Sequence, residues 1–391
     1  VAIGDNIRAE FMLEEGIAFL NHGSYGATPR AVMAAQDEWR LRMERQPVRF
    51  MARELPAALR RAARDLAGFL GAEGDDLAGD DLVFVENATA GVNAVARSVA
   101  LGPGDEVLIT DHVYGAVRKA LTFLCRDVGA TLVEARVPFP LSDDAQVVAA
   151  VEAYLTPRTR LAVFDHVTSQ TAVIFPITQL VELCRTREVP VLIDGAHAPG
   201  MVAFQVSDLG ADWYVGNAHK WLFSAKGCGF LWAKPEHQAS LHPLVISHGL
   251  DEGFIAEFDW VGTRDASAWL AVSDAIAFHR RMGHEAVMAH NRNLAAEAAE
   301  MLADTWGTEI GAPPAMRGSM AAIRLPGDGG DLDGAERLHD RLHDDYGVEV
   351  PISLWDGALW VRISAQIYNN MADYQRLADA IQAMGTDRRR S

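Results

Sequence analysis

The sequence predicts an α/β protein in which a large domain holds a mainly parallel sheet between helices and a smaller C-terminal α/β domain follows. Length is the first reason, because 391 residues exceed what one hydrophobic core usually organises. The second is alternation: from DLVFV to GCGFLWA, short apolar runs alternate with amphipathic segments, the pattern of strands joined by helices. The third is a change of character near Asp265, where two long helical stretches replace that rhythm.

Taken in order, Thr28 before Pro29 reads as an N-cap with proline at the first helical position, opening a helix through RAVMAAQDEWRLRMER. A second helix is expected over residues 55–70. DLVFV precedes a helix from Ala90, DEVLIT precedes AVRKALTFLCRDV, and ATLVEARV precedes DAQVVAAVEAYL. TRLAVFDHV, TQLVELCRTR, VPVLIDGAH, ADWYVGN and GCGFLWA continue the series. Then come the helical stretches ASAWLAVSDAIAFHRRM and HEAVMAHNRNLAAEAAEMLADTW, and strands near MAAIRLP, VEVPI and ALWVRIS. PGDGGDLDG, at 326–334, reads as a turn-rich surface loop. The chain divides into an N-terminal arm (1–28), a large domain (29–264) and a small domain (265–391), with the 29–54 helix free to pack on the last.

Composition excludes some classes of function. With 53 acidic against 35 basic residues the net charge is −18, which argues against binding a phosphate backbone, so nucleic acid is not an expected partner. Cys125, Cys184 and Cys228 are far apart and form no Cys-x-x-Cys pair, which fits a reducing compartment. No apolar run reaches the roughly 18 residues that span a bilayer, and VAIGDNIRAEF lacks the charged-then-apolar pattern of a signal peptide. A cytoplasmic protein without a membrane partner is the expectation.

In an open parallel sheet, ligands gather beyond the carboxyl ends of the strands. VFVENATAG ends with Thr89, Ala90 and Gly91 opening a helix, whose free N–H groups and dipole favour a phosphate; a plain Asn/Thr cap is the alternative. VLIDGAHAPG places Asp194 at the end of an apolar strand with His197 three residues on, either as a charge with a cationic partner or as a structural hydrogen-bond group. AVFDHVTSQT adds Asp165, His166, Ser169 and Gln170, of which Asp165 and His166 read as satisfying loop backbone. DWYVGNAHKWLF sets Lys220 between His219 and Trp221, surroundings that lower an amine's pKa and let it attack a carbonyl. A Schiff-base lysine, a carboxylate for a pyridine nitrogen and a phosphate cradle together describe a pyridoxal phosphate site.

NATAG, TDHVYGA, DHVTSQTA, IDGAHAPG, GNAHKW, WVGTRD and VRIS, in that order, resemble the fold-type I pyridoxal enzymes of the class V aminotransferase group, in particular its isopenicillin N epimerase-like branch. The resemblance runs from NHGSYGATP to Arg362. It implies that Lys220 bonds to the cofactor, Asp194 pairs with its ring nitrogen and His197 lies near its phenolic oxygen. It implies that Thr89, Ala90, Asn217 and His219 bind the phosphate, with Ser169 also at the cofactor, and that Gly262 and Thr263 reach the phosphate of a neighbouring subunit in a homodimer with shared active sites. Arg362 would clamp the α-carboxylate of an amino-acid substrate through its planar fork. Tyr114 is the aromatic chosen to stack on the ring, and His112 is the alternative because the spacing does not align without a gap. His22, Ser24 and Tyr25 would face the substrate, together with the partner's loop around FDWVGTRD.

Cysteine desulfurases of this group carry a nucleophilic cysteine before the carboxylate-binding arginine, and YGVEVPISLWDGALWVRIS has none, so persulfide chemistry is not expected. Cys125 and Cys228 read as buried structural residues. The expected reaction begins with removal of the Cα proton by Lys220, while Asp194 keeps the ring nitrogen protonated. Epimerisation is the first reading, C–S lyase chemistry on a cysteine S-conjugate or sulfoxide the alternative, and transamination a third. A scaffold without chemistry is disfavoured by the intact Lys220, Asp194 and Arg362.

Overall fold

The computed structural model describes residues 7–72, 78–327 and 329–387. The first six residues of the expected arm, residue 328 of the expected turn-rich loop and residues 388–391 lie outside the described residues. A short strand β1 (Ala18–Phe19) precedes the larger sheet, made of β2 (Leu82–Val85), β3 (Glu106–Thr110), β4 (Thr131–Ala135), β5 (Thr159–Asp165), β6 (Val191–Gly195), β7 (Trp213–Asn217) and β8 (Gly229–Ala233). Their spatial order is β2-β8-β7-β6-β5-β3-β4. Strands β3 to β7 pair in parallel, and β8 runs antiparallel to both of its neighbours. Six strands therefore point one way, and their carboxyl ends share one edge.

Alternation along these strands feeds two cores. Leu161, Val163, Leu192 and Val215 pack with Val92, Val95, Val117 and Leu121 from the Ala88–Ser98 and Gly115–Val128 helices. Ala162, Phe164, Ile193 and Tyr214 face the other way, toward Leu59, Leu66, Leu180 and Val181 from the Leu55–Phe69 and Ile177–Arg185 helices. Burial on both faces is why these strands read as continuous apolar runs rather than alternating ones.

A third core forms around β9 (Met320–Arg324), β10 (Val348–Glu349), β11 (Ile352–Trp355) and β12 (Ala358–Ser364), with the His284–Trp306, Leu332–Tyr346 and Met371–Asp387 helices. Its sheet is antiparallel, in the order β11-β12-β9. Strand β1 pairs in parallel with β10, and the Ser364 amide donates to the Leu20 carbonyl. The N-terminal arm is thus stitched to the C-terminal domain and led from there into the cleft.

Local readings and structure differ in places. Pro29 is itself the N-cap, with the helix starting at Arg30, because the Thr28 hydroxyl is spent on the Ser224 carbonyl. ASAWLAVSDAIAFHRRM divides at Ala271, where ψ is 0, into Ser267–Leu270 and Val272–Met282. Ala268, Trp269, Leu270, Val272 and Ile276 from this stretch join the larger core, and the Arg30–Arg45 helix packs on it. VEVPI breaks into β10 and β11 around Pro351, which has no N–H to give a ladder. Among the described residues no helix is long and apolar enough to cross a membrane.

Candidate active site

Lys220 lies three residues beyond β7, in a loop pinned from two sides. The Ala218 and His219 amides both donate to the Cys228 carbonyl, and a Cβ on Gly200, which has φ +88, would meet the Trp221 carbonyl carbon at 2.6 Å. Lys220 Nζ is 3.2 Å from His197 Nε2, and the Trp221 indole N–H donates to His197 Nδ1 at 3.4 Å. A neutral ring that accepts at Nδ1 carries its proton on Nε2, so His197 donates toward a lone pair on the lysine nitrogen. Burial pushes the Lys220 amine down to about 7, and the Arg362 charge pushes the same way against Asp194 and Asp165. Burial, with the Lys220 and Arg362 charges, also holds His197 neutral, well below the ordinary histidine value.

Asp194 is buried in β6, with Oδ1 accepting the Ala196 N–H at 2.9 Å and Oδ2 accepting no hydrogen bond among the described residues. Desolvation raises its pKa, against the Ala196 N–H and the Lys220 charge. Asp165, read from sequence as serving loop backbone, does accept the Tyr114 N–H, but its Oδ2 is buried without a partner. His166 turns its Nδ1 to the Tyr214 hydroxyl at 2.9 Å, in the core on the other face of the sheet.

The end of the cleft expected to take phosphate is formed by the Ala88–Ser98 helix, which starts two residues earlier than expected because Asn87 caps it, its Oδ1 taking the Ala90 N–H at 3.0 Å. Asn217 Oδ1 takes the Ala88 N–H at 2.8 Å, and His219 Nδ1 is 3.1 Å from the Cys228 carbonyl. Asn217 and His219 thus turn these atoms onto backbone. Of the three amides from Ala88 to Ala90, that of Thr89 is without a partner among the described residues, at the positive end of the helix dipole. Gly262, with φ +119, and the exposed Thr263 lie in the loop before the Ser267–Leu270 helix.

Arg362, on β12, closes the cleft from the smaller domain. Its Nη1 donates to the Ser169 carbonyl at 2.6 Å, and its Nη2 to Asn21 Oδ1 and Ser24 Oγ, each at 3.0 Å. Its Nε is buried without a partner, and among the described residues no carboxylate forms an ion pair with it. Burial lowers this guanidinium to about 10. A desolvated cation without a counter-charge is an anion site, suited to a carboxylate.

Two histidines from the sequence reading take other places. His22 was expected at the substrate, yet it is fully buried, with Nδ1 2.8 Å from the Tyr368 hydroxyl and Nε2 3.0 Å from the Lys220 carbonyl. Burial pushes it down to about 3, so it braces the lysine's backbone as a neutral ring. His112, the alternative for stacking on the cofactor, sits in the wall, held by Thr171 Oγ1 at 2.7 Å and the Val137 carbonyl at 3.2 Å, with the Trp355 ring 4.4 Å away. Tyr114 is 45% exposed, donates its amide to Asp165, and lies within electrostatic reach of Arg362. Tyr25 is 74% exposed. Asn21, Trp221 and Tyr368 were not singled out from sequence; Asn21 and Trp221 stand inside the very motifs that carry Ser24 and Lys220.

Pyridoxal phosphate asks for an amine that is partly neutral at physiological pH, a carboxylate for its ring nitrogen and a site for its phosphate. The residues present fit: Lys220 would bond its aldehyde carbon, the free Oδ2 of Asp194 would face the ring nitrogen, and the Thr89 end of the helix would take the phosphate. A sequence profile described as Aminotransferase class-V matches residues 19–377. Putative L-cysteine desulfhydrase 1 of Oryza sativa subsp. japonica is 36% identical over 97% of this chain and 86% of its own length. Isopenicillin N epimerase of Amycolatopsis lactamdurans is likewise 36% identical, over 97% of this chain and 98% of its own length. Among solved structures, a mutant of C-DES with glycine covalently linked to its PLP cofactor shares the fold, with a TM-score of 0.79 at 19% identity over 96% of this chain and 98% of that one. A family match that runs from Phe19 to Leu377, through the same cleft that Lys220 and Arg362 enter from opposite domains, shows that this chain belongs to the class V aminotransferase group and is a pyridoxal phosphate enzyme.

Proposed function

We propose that this enzyme removes the Cα proton of an α-amino acid and returns a proton to the opposite face, an epimerisation of the kind for which isopenicillin N epimerase is named. The observation that carries the reading is the buried Arg362, which has no carboxylate partner among the described residues, in the same cleft as a lysine amine lowered to about 7. Arg362 holds the substrate α-carboxylate, and Ser24, Asn21 and Ser169 keep its fork oriented. His197 directs its Nε2 proton at Lys220, so the lysine presents its lone pair to the Cα proton. Asp194 stabilises positive charge at the ring nitrogen. When bound, pyridoxal phosphate supplies an electron sink for the bond that breaks at Cα. Tyr114, exposed and within electrostatic reach of Arg362, is the acid for the other face.

The length match supports epimerisation first: the isopenicillin N epimerases of Streptomyces clavuligerus and Amycolatopsis lactamdurans align over 99% and 98% of their own chains. A C–S lyase reaction is the second reading, favoured by L-cysteine desulfhydrases at 33–36% identity and by a base, Lys220, that suffices for elimination without an opposite acid. Incubation with L-amino acids and cysteine S-conjugates in deuterated water distinguishes them. Epimerisation yields the D-isomer carrying one solvent deuteron at Cα. Stoichiometric pyruvate, ammonia and thiol without the D-isomer would overturn it in favour of the lyase, and a keto acid formed with pyridoxamine phosphate would replace both with transamination.

The assembly belongs to the same reading. Leu244, Val245, Ile246 and Leu250 are 44–55% exposed, and Leu244 and Val245 line a cleft with Ala90, Val261 and Arg264, beside the phosphate end. A homodimer that covers this patch would bring each subunit's Gly262–Thr263 loop toward its partner's site. The three unpaired, buried cysteines support a cytoplasmic location, which cell fractionation tests.

A further inference from the structure

Asp165 ends β5 directly beside Asp194 of β6, the two being register partners on parallel strands. Both side chains lie on the face that carries Val163 and Leu192, because Phe164 and Ile193 belong to the opposite core. Strands in a sheet are about 4.8 Å apart. Two carboxyl groups, each 3% exposed, are therefore neighbours at the ring-nitrogen end of the site. Like charges so close in a dry environment do not both ionise.

The surrounding groups decide which one keeps a proton. Asp194 receives the Ala196 N–H and leaves Oδ2 accessible to the cleft. Asp165 receives the Tyr114 N–H, and its Oδ2 is buried with no hydrogen-bond partner among the described residues. Lys220 acts electrostatically on both carboxyls, Val215 is the β7 register partner of Asp194, and Tyr214, on the opposite face with its hydroxyl committed to His166, feels the Asp194 charge. An ionised Asp165 would leave a charged oxygen buried without a partner, whereas a protonated one has a hydroxyl to direct at Asp194.

We propose that Asp165 is a positioning residue, held as a neutral carboxylic acid that donates to Asp194, so that this end of the site carries one negative charge and not two. The consequence reaches the base. Burial raises both Asp165 and Asp194, the Asp194 charge raises Asp165 further, and both carboxylates oppose the depression of the Lys220 amine. A second negative charge would return Lys220 toward its protonated, inactive form. The inference takes Asp194 as the ring-nitrogen partner, and its test does not depend on which reaction follows.

Infrared difference spectra of the holoenzyme at neutral pH, parent minus Asp165→Asn, should contain the carbonyl stretch of a protonated carboxylic acid, shifted in deuterated water. Asp165→Asn keeps a donor and should retain turnover within about threefold of the parent. Asp165→Ala removes the donor to a charged acceptor and should lose roughly ten- to a hundredfold. No such band in the parent overturns the proposal, and so does an Asp165→Asn enzyme as impaired as Asp165→Ala, since that requires the ionised form. A band that is present in an enzyme showing no Cα exchange would sink the epimerase reading and leave Asp165 as described.

Discussion

Lys220 illustrates how one side chain acquires its chemistry from several neighbours. Its amine loses water on entering the cleft, meets a histidine that donates rather than accepts, and feels the guanidinium of Arg362; each favours the neutral base. The base form prevails above about 7 and the protonated form below it. The Cα exchange rate should therefore fall roughly tenfold per unit as the medium is acidified below that point, and level off above it. A flat profile through neutrality would show that another group takes the proton. Lys220→Ala should still hold pyridoxal phosphate through the Thr89 and Asp194 ends, yet borohydride should no longer fix the cofactor to the chain, and exchange should drop by at least about a thousandfold. Covalent labelling of that variant would refute the assignment.

Elements hold these residues in place through their ends. The Ala88–Ser98 helix is capped by Asn87 from within and by Asn217 from the end of β7, so the phosphate end and the lysine loop share one hydrogen bond. Asn217→Ala leaves the buried Ala88 N–H unpaired, at a cost of about 1–2 kcal/mol. Calorimetry should register a Tm lower by a few degrees, and fluorescence titration a cofactor affinity roughly tenfold weaker. If both are unchanged, the Asn217 contact contributes nothing to the site. The N-terminal arm works in the same way: Gly26 adopts φ +71, and a Cβ there would run into the His219 carbonyl and sit 3.0 Å from Lys220 Cα. The turn in NHGSYG thus lets the arm that carries Ser24 and Asn21 lie directly on the lysine loop.

At the scale of the molecule, two cores meet across a cleft whose parts come from the arm, the larger sheet and β12. The apolar Leu244–Ile246 segment lies on the surface beside this cleft, more exposed than such side chains usually are. If a second copy covers it, Val245→Asp should convert a dimer in sedimentation velocity into a monomer, and the monomer should bind cofactor at least about tenfold more weakly. A parent enzyme that is fully active as a monomer would contradict the shared site. Retained dimer in Val245→Asp would place the interface elsewhere.

What the sequence determined by itself was local. Apolar runs set the strands, so Asp194, Lys220 and Arg362 could each be placed at or just beyond a strand, and their order along the chain carried the family resemblance. Several helix starts were legible to within two residues, the error at residues 88 and 90 arising because an N-cap asparagine looks like any loop residue until its acceptor is seen, whereas the Leu332–Tyr346 helix begins inside the stretch 326–334 read as a loop. The tertiary structure decided whatever depended on residues distant in sequence. His22 looked like a substrate contact and became a brace because Tyr368 and the Lys220 carbonyl occupy both of its nitrogens. His112 and Tyr114 could not be ranked by spacing, and in the structure they differ in setting: His112 is buried against Trp355 and Tyr114 is exposed. Asp165 and Asp194 are 29 positions apart, and only the register of two parallel strands makes them neighbours whose charges must be reconciled.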